Sequence, residues 1–260
     1  MRRSWQQALR LLGLLVLSLL ALQLVFVARI ALMIVIDPES TTFQRSEMWR
    51  LVTQRRPLAW AQEWVDLPRI STHLQRAVIA SEDAGFIEHA GVDWDAVERA
   101  WERNQREEAR AARAASARPA ARGATPGAAP PRPRHPPKLV GGSTITQQLA
   151  KNLLLHGERT VLRKGQELVL TLALEVLLSK QRILEIYLNN VEWGEGLFGA
   201  QAAARYYFRV DAARLAPEPA ARLAVMLPAP KRFEKAPASP YVLDRAAAIV
   251  ARMGAVDLPR

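Results

Sequence analysis

Cysteine is absent from the 260 residues. That excludes a disulfide scaffold, a Cys-ligated zinc or iron–sulfur centre and a thiol nucleophile. Aromatic residues make up 7%. No internal repeat appears, and no run of alternating apolar and polar residues marks a strand. With 50% hydrophobic and 23% charged residues, the chain can build a sizeable core, so global disorder is excluded. The length suits one large domain or two small ones.

Acidic residues are missing from the first 36 positions, which carry Arg2, Arg3, Arg10 and Arg29. Between the third and fourth of these arginines runs Leu11–Ala28, an 18-residue stretch without charge. As a helix it reaches about 27 Å, close to the hydrocarbon thickness of a bilayer. Ile30–Ile36 adds a further apolar segment. The run is longer than a secretory h-region and no A-x-A site follows it. It therefore reads as an uncleaved anchor: a cytoplasmic basic tail at 1–10, a membrane span at 11–36, and 37–260 outside.

The net charge of +11 suggests an anionic partner until its distribution is considered. Beyond the anchor, much of the excess lies in Arg106–Lys138, where eight basic residues meet two acidic ones. The remainder is close to neutral, with neither a basic face nor a reader motif, so a nucleic-acid partner is not expected.

Past residue 37 the spacing is helical. Leu74, Ala77, Val78 and Ser81 fall at i, i+3, i+4 and i+7, and Trp94, Val97 and Trp101 repeat the pattern, as do Ile145, Leu149 and Leu153. Thr160–Leu178 is apolar nearly all round, which predicts a helix buried at the centre of a domain. Ile183, Leu184, Tyr187 and Leu188 share one side of another helix. Gly194, Gly196 and Gly199 interrupt the pattern before a helix near Ala200–Phe208. The fold class is all-α. Ala109–Lys138, rich in Ala, Arg and Pro, cannot bury enough apolar surface to offset its ordering entropy and reads as a disordered insertion at about 109–138.

Three stretches place polar groups where a helical core does not normally hold them. An apolar helix ends in the paired carboxylates Glu82 and Asp83. Gly141 and Gly142 lead into a helix start at Ser143 and Thr144, a ready anion site. On that helix Gln147 with Lys151, and Gln148 with Asn152, lie four apart. In the third stretch Glu167 lies four residues from Arg163 and three from Lys164. Singly these are a helix-end acid pair, a plain N-cap and a salt-bridged face. Together they are harder to dismiss, because the helix of Glu167 has almost no solvated face to offer. Glu175, on the same helix, reads as structural with a lone basic partner.

The motifs Glu82-Asp83-x-x-Phe86-x-x-His89-x-Gly91, Gly142-Ser143-Thr144-Ile145-Thr146-Gln147-Gln148, Arg163-Lys164-x-x-Glu167 and Lys180-x-x-Ile183-Leu184-Glu185-x-Tyr187-Leu188-Asn189 occur in this order. So do the flanks Asp37-Pro38, Trp64-Val65, Ile70-Ser71 and Met226-Leu227-Pro228. Over most of 37–232 the chain resembles the glycosyltransferase family of peptidoglycan polymerases, the transglycosylase domain of class A penicillin-binding proteins. No Ser-x-x-Lys occurs, and about thirty residues follow Pro230. No transpeptidase activity is therefore expected, and the chain resembles the monofunctional branch.

The resemblance implies a two-lobed, lysozyme-like helical domain at the outer face of the bacterial inner membrane, with the catalytic domain periplasmic. It implies transfer of an undecaprenyl-diphosphate-linked glycan strand to the 4-hydroxyl of lipid II, with inversion. Glu82 is then the base. Glu167 is the second catalytic carboxylate, positioning either the cations or a divalent ion (Mg or Mn) that bridges the diphosphate; no side-chain set holds a metal by itself. Asp83, Ser143, Thr144, Gln147, Gln148, Lys151, Asn152, Arg163 and Lys164 are the expected substrate-binding residues, with Arg163 and Lys164 suited to the leaving diphosphate. His89 reads as structural. The expected partners are lipid II, the nascent glycan strand, the bilayer and other cell-wall synthesis proteins. Two rivals remain: a lysozyme-like lytic enzyme, which has no diphosphate to hold, and an anchored non-catalytic scaffold, which has no use for Glu82 and Glu167.

Overall fold

The computed structural model describes residues 2–55, 60–116, 142–155 and 160–259. The chain divides into two compact units, 1–92 with 144–260 and, separately, 93–143.

In the larger unit, α1 (Arg2–Leu32) is a single helix of 31 residues. Its Trp5–Leu32 portion is long and apolar enough to cross a membrane. The end of α1 is part of the domain: Ile30 is fully buried and Met33, just beyond the helix, joins the same core. Arg182 fastens the junction. Its guanidinium donates to Met33 O at 2.7 Å, to Ile36 O at 3.1 Å and to Asp37 at 2.7 Å, and stacks over Trp64 at 5.5 Å. The Asp37-Pro38 flank thus has a structural reason.

Helix α2 (Thr42–Thr53) starts in a capping box formed by Thr41 and Gln44. Helix α3 (Thr72–Glu82) starts at Ser71, whose side chain caps His73 N, and buries Leu74, Ala77 and Val78 as its spacing predicts. It packs against α9 (Pro217–Met226) and α11 (Pro240–Met253). Helix α5 (Ile145–Leu154) packs on α6 (Val161–Leu177) and α7 (Lys180–Asn190), with α8 at Ala200–Phe208 and the single turn α10 at Pro230–Phe233.

Among the described residues, three short strands interrupt the helices: β1 (Ala61–Gln62), β2 (Glu192–Gly194) and β3 (Leu197–Phe198), in the order β1-β3-β2. β1 pairs parallel and β2 antiparallel to β3. Strands of two or three residues are too short for alternation to reveal. The fold remains overwhelmingly helical.

Two expectations are corrected. Helix α6 is not buried all round: Val161, Leu162, Val169, Leu172 and Val176 are exposed, while Glu167, Leu170, Thr171 and Leu174 face inward. An apolar helix surface suits lipid as well as a protein core, and periodicity does not separate the two. In the smaller unit, α4 runs over Trp94–Ser116, so Ala109–Ser116 is helix rather than disordered loop. Ala, Arg and Glu are strong helix formers and no proline intervenes before Pro119. Trp94, Val97 and Trp101 keep their helical spacing but are exposed. The rest of the expected insertion, from residue 117 onward, lies outside the described residues.

Candidate active site

Glu82 is the last residue of α3 and is half-buried. Its Oε2 accepts from Gln148 Nε2 on α5 at 3.1 Å, and its Oε1 accepts from Ser81 Oγ at 3.4 Å. Burial raises its pKa above the ordinary glutamate value. The two donors pull it partly back, and the neighbouring Asp83 carboxylate adds to the rise. A carboxylate held this way is a stronger base than a solvated one while still exposing part of its surface.

Asp83 has turned inward. Its Oδ2 accepts the backbone N–H of Ile145 at 2.9 Å, and its Oδ1 lies 2.8 Å from His89 Nε2. His89 Nδ1 accepts from Gly91 N, Gly91 O accepts from Thr144 Oγ1 at 2.6 Å, and His89 O accepts from Lys180 Nζ at 2.7 Å. Lys180 also pairs with Glu175 at 2.8 Å and sits over the Phe86 ring at 4.6 Å. Glu175 thus has its basic partner, and it also accepts from Thr146 at 2.5 Å. His89 is structural, as expected. Nearly every residue of the first motif serves to hold the turn after Glu82 against α5, α6 and α7.

The start of α5 is likewise committed. Thr144 is its N-cap, and Gln147 completes a capping box by accepting from Thr144 N at 3.2 Å. Thr144 and Gln147, expected to bind substrate, therefore organise the helix end; Thr144 spends its hydroxyl on Gly91 and Gln147 is buried. Gln148 points to Glu82, Asn152 is half-buried and Lys151 is exposed on the same helix. Ser143 is exposed and belongs to the smaller unit.

On α6, Glu167 is 3% exposed. Arg163 Nη1 donates to one of its oxygens at 2.8 Å and Lys164 Nζ to the other. Two cations share one carboxylate, leaving a net positive charge. The buried Nε of Arg163 meets no acceptor among the described residues, so the guanidinium keeps a donor for an anion. Among the described residues, no hydrogen bond or ion pair joins Glu82 to Arg163, Lys164 or Glu167; the connection runs through α5, which carries Gln148 and packs on α6. No cluster of three His, Asp or Glu side chains among them can hold a metal.

Two residues outside the expected set complete the arrangement. Tyr187 O–H donates to Gln148 Oε1 at 3.0 Å. Asn189 pins the Trp64-Val65 flank through both halves of its amide, accepting from Val65 N at 2.9 Å and donating to Val65 O at 2.8 Å. Asn189 was visible as a motif position, but nothing in the sequence pairs it with residue 65.

A half-buried, donor-held carboxylate on α3 and a cation pair on α6, linked through α5 in a unit that also carries an apolar helix long enough to cross a membrane, suit an anchored group-transfer enzyme. The chain belongs to the transglycosylase family, whose model matches residues 50–117 and 132–254 and omits 118–131 within the Ala/Arg/Pro segment. It is 48% identical over 240 residues to a Burkholderia thailandensis protein named biosynthetic peptidoglycan transglycosylase, covering 92% of this chain and 83% of that protein. A protein of the same name from Paraburkholderia xenovorans is 46% identical over 241 residues, covering 92% and 88%.

Proposed function

We propose that the chain polymerises peptidoglycan glycan strands, transferring the growing undecaprenyl-diphosphate-linked strand to the 4-hydroxyl of lipid II with inversion at the anomeric carbon. The observation that carries this reading is that α5, whose Gln148 holds the half-buried Glu82, packs on α6, where Glu167 fixes two cations. A sugar hydroxyl is a poor nucleophile at neutral pH. As its oxygen attacks the anomeric carbon, its proton passes to the Glu82 carboxylate. The bond from that carbon to the diphosphate oxygen breaks, and the diphosphate leaves with the electron pair. Arg163 and Lys164 stabilise the charge that develops there. Glu167 sets the geometry of both cations and is a positioning residue.

Two cations around one carboxylate suit a diphosphate directly. A Mg or Mn ion, were one to bind, would supply further charge neutralisation, and among the described residues of this group Glu167 is the carboxylate that would hold it.

The substrates are lipid-linked, and the domain suits a bilayer. Ile30 and Met33 in the core argue against removal of α1 as a signal peptide, since cleavage beyond them would leave their places empty. Gln23 and Gln166 exchange reciprocal amide hydrogen bonds at 2.9 and 3.0 Å. Gln23 lies about 7–8 Å inside the end of the apolar run at Ala28, at 1.5 Å per residue. Helix α6 therefore accompanies α1 into the outer leaflet, with its exposed apolar side chains against lipid. The arginines before the apolar run support a periplasmic position for the domain, at the inner membrane.

The test is polymerisation of labelled lipid II by the full-length protein in vesicles. Long glycan is expected from the wild type and none from Glu82→Gln with lipid II binding retained. Full activity of that variant removes the base assignment.

A further inference from the structure

Tyr187 lies on the apolar side of α7 and is 1% exposed, so its hydroxyl must find a partner inside the protein. That partner is Gln148 Oε1, whose amide Nε2 holds Glu82 Oε2. The three groups fix one another's direction. An ionised carboxylate only accepts, so the amide nitrogen must face Glu82, and the amide oxygen is left for Tyr187 to satisfy. Burial first, and then the Glu82 and Asp83 carboxylates, push the ionisation of Tyr187 well up, so it stays a phenol and can donate.

We propose that Tyr187 is a positioning residue for the transfer reaction: by holding the Gln148 amide in one orientation, it fixes Glu82 through Oε2 in the pose from which the base works. This deepens the reading of Glu82 as the base and rests on it. Tyr187 touches no reacting atom and acts through Gln148. Without the hydroxyl the amide is free to flip, presenting its oxygen to the carboxylate and weakening the hold on the ionised form. Among the described residues, the titratable groups acting on Glu82 are Asp83 on the same turn and Tyr187 on α7; Arg163, Lys164 and Glu167 form no hydrogen bond or ion pair with it.

The experiment compares full-length Tyr187→Phe, Gln148→Ala, the double variant and Glu82→Gln by initial rates on labelled lipid II in vesicles, across about pH 5–9. Tyr187→Phe should lower kcat about tenfold with KM within about twofold. The acid limb of its pH profile should move to higher pH. In the Gln148→Ala background the same substitution should change kcat by less than about twofold, because the path through the amide is already cut. Full kcat with an unmoved acid limb in Tyr187→Phe overturns the proposal, as do effects that multiply in the double variant. If Tyr187→Phe fails to fold, Gln148→Met at the half-buried position must show the same kcat loss and pH shift, and a wild-type profile there overturns it equally. Activity in Glu82→Gln would instead bring down the base assignment, whereas an inactive Glu82→Gln beside an unaffected Tyr187→Phe sinks the relay alone.

Discussion

Asp83 Oδ2 accepts the backbone N–H of Ile145 at 2.9 Å, so the residue following the proposed base caps the helix that carries the base's own hydrogen-bond donor. Helix starts leave N–H groups without partners, and a buried carboxylate satisfies one strongly. Asp83→Ala should therefore lose stability as well as polymerisation. The expected cost is about 1–3 kcal/mol, from the orphaned Ile145 N–H and the unpartnered His89. Denaturant unfolding of the solubilised protein checks this. Unchanged unfolding with abolished activity would return Asp83 to the substrate.

Gly91 sits where no other residue fits. Its φ of +85° lies in the left-handed region, and an added Cβ would come within 2.7 Å of Thr171 Cγ2 and 2.9 Å of Glu175 Cγ. The same residue accepts the Thr144 hydroxyl, so displacing it disturbs the start of α5. Gly91→Ala should destabilise by roughly 2–4 kcal/mol, combining backbone strain with overpacking. A melting temperature lowered by several degrees is the expected reading, and a wild-type value would contradict the close approach to α6.

Much of this arrangement was legible in the sequence, and what was not has identifiable causes. The spacing of Leu74, Ala77, Val78 and Ser81 gave α3, and the Ser143–Thr144 start followed by Ile145, Leu149 and Leu153 carried the start and buried face of α5. The motif positions were legible too, but not which way each side chain turns. Asp83 and Gln147 have the chemistry of substrate ligands and are used inside the protein: Asp83 caps a helix start 62 positions away, which leaves no local trace, and Gln147 spends its amide oxygen on the nearby Thr144 N–H. Tyr187 read as one more apolar residue of α7, since only its partner reveals the use of its hydroxyl. Helix α6 read as a central core helix because an all-round apolar surface does not say whether protein or lipid covers it.

Glu192 makes stability depend on pH. It is buried in β2, its pKa pushed up to about 7, chiefly by burial and further by Glu47 and Glu234, against the pull of Lys231 at 3.4 Å. Its unfolded value is near 4.5, so the native state binds the proton more tightly. The contribution is fully present below about pH 4.5 and is lost as pH rises through about 7, with an upper bound of about 3 kcal/mol. Glu192→Gln removes the titration. The melting temperature of the wild type should fall relative to that of the variant between about pH 5 and 8, and parallel curves would count against it.

The exposed side of α6 separates lipid contact from core packing. Val161 is 91% and Leu162 88% exposed, so replacing both with Asp removes no buried contact and should leave thermal stability nearly unchanged. If α6 accompanies α1 into the outer leaflet, as proposed, the same change places two charges there, where they are costly. Val161→Asp/Leu162→Asp should therefore polymerise lipid II several-fold more slowly in vesicles, yet match the wild type in detergent micelles, which adapt to the altered surface. Equal rates in both media would mean that α6 stands clear of the membrane. A matched loss in both would instead point to damage at the adjoining Arg163 and Lys164.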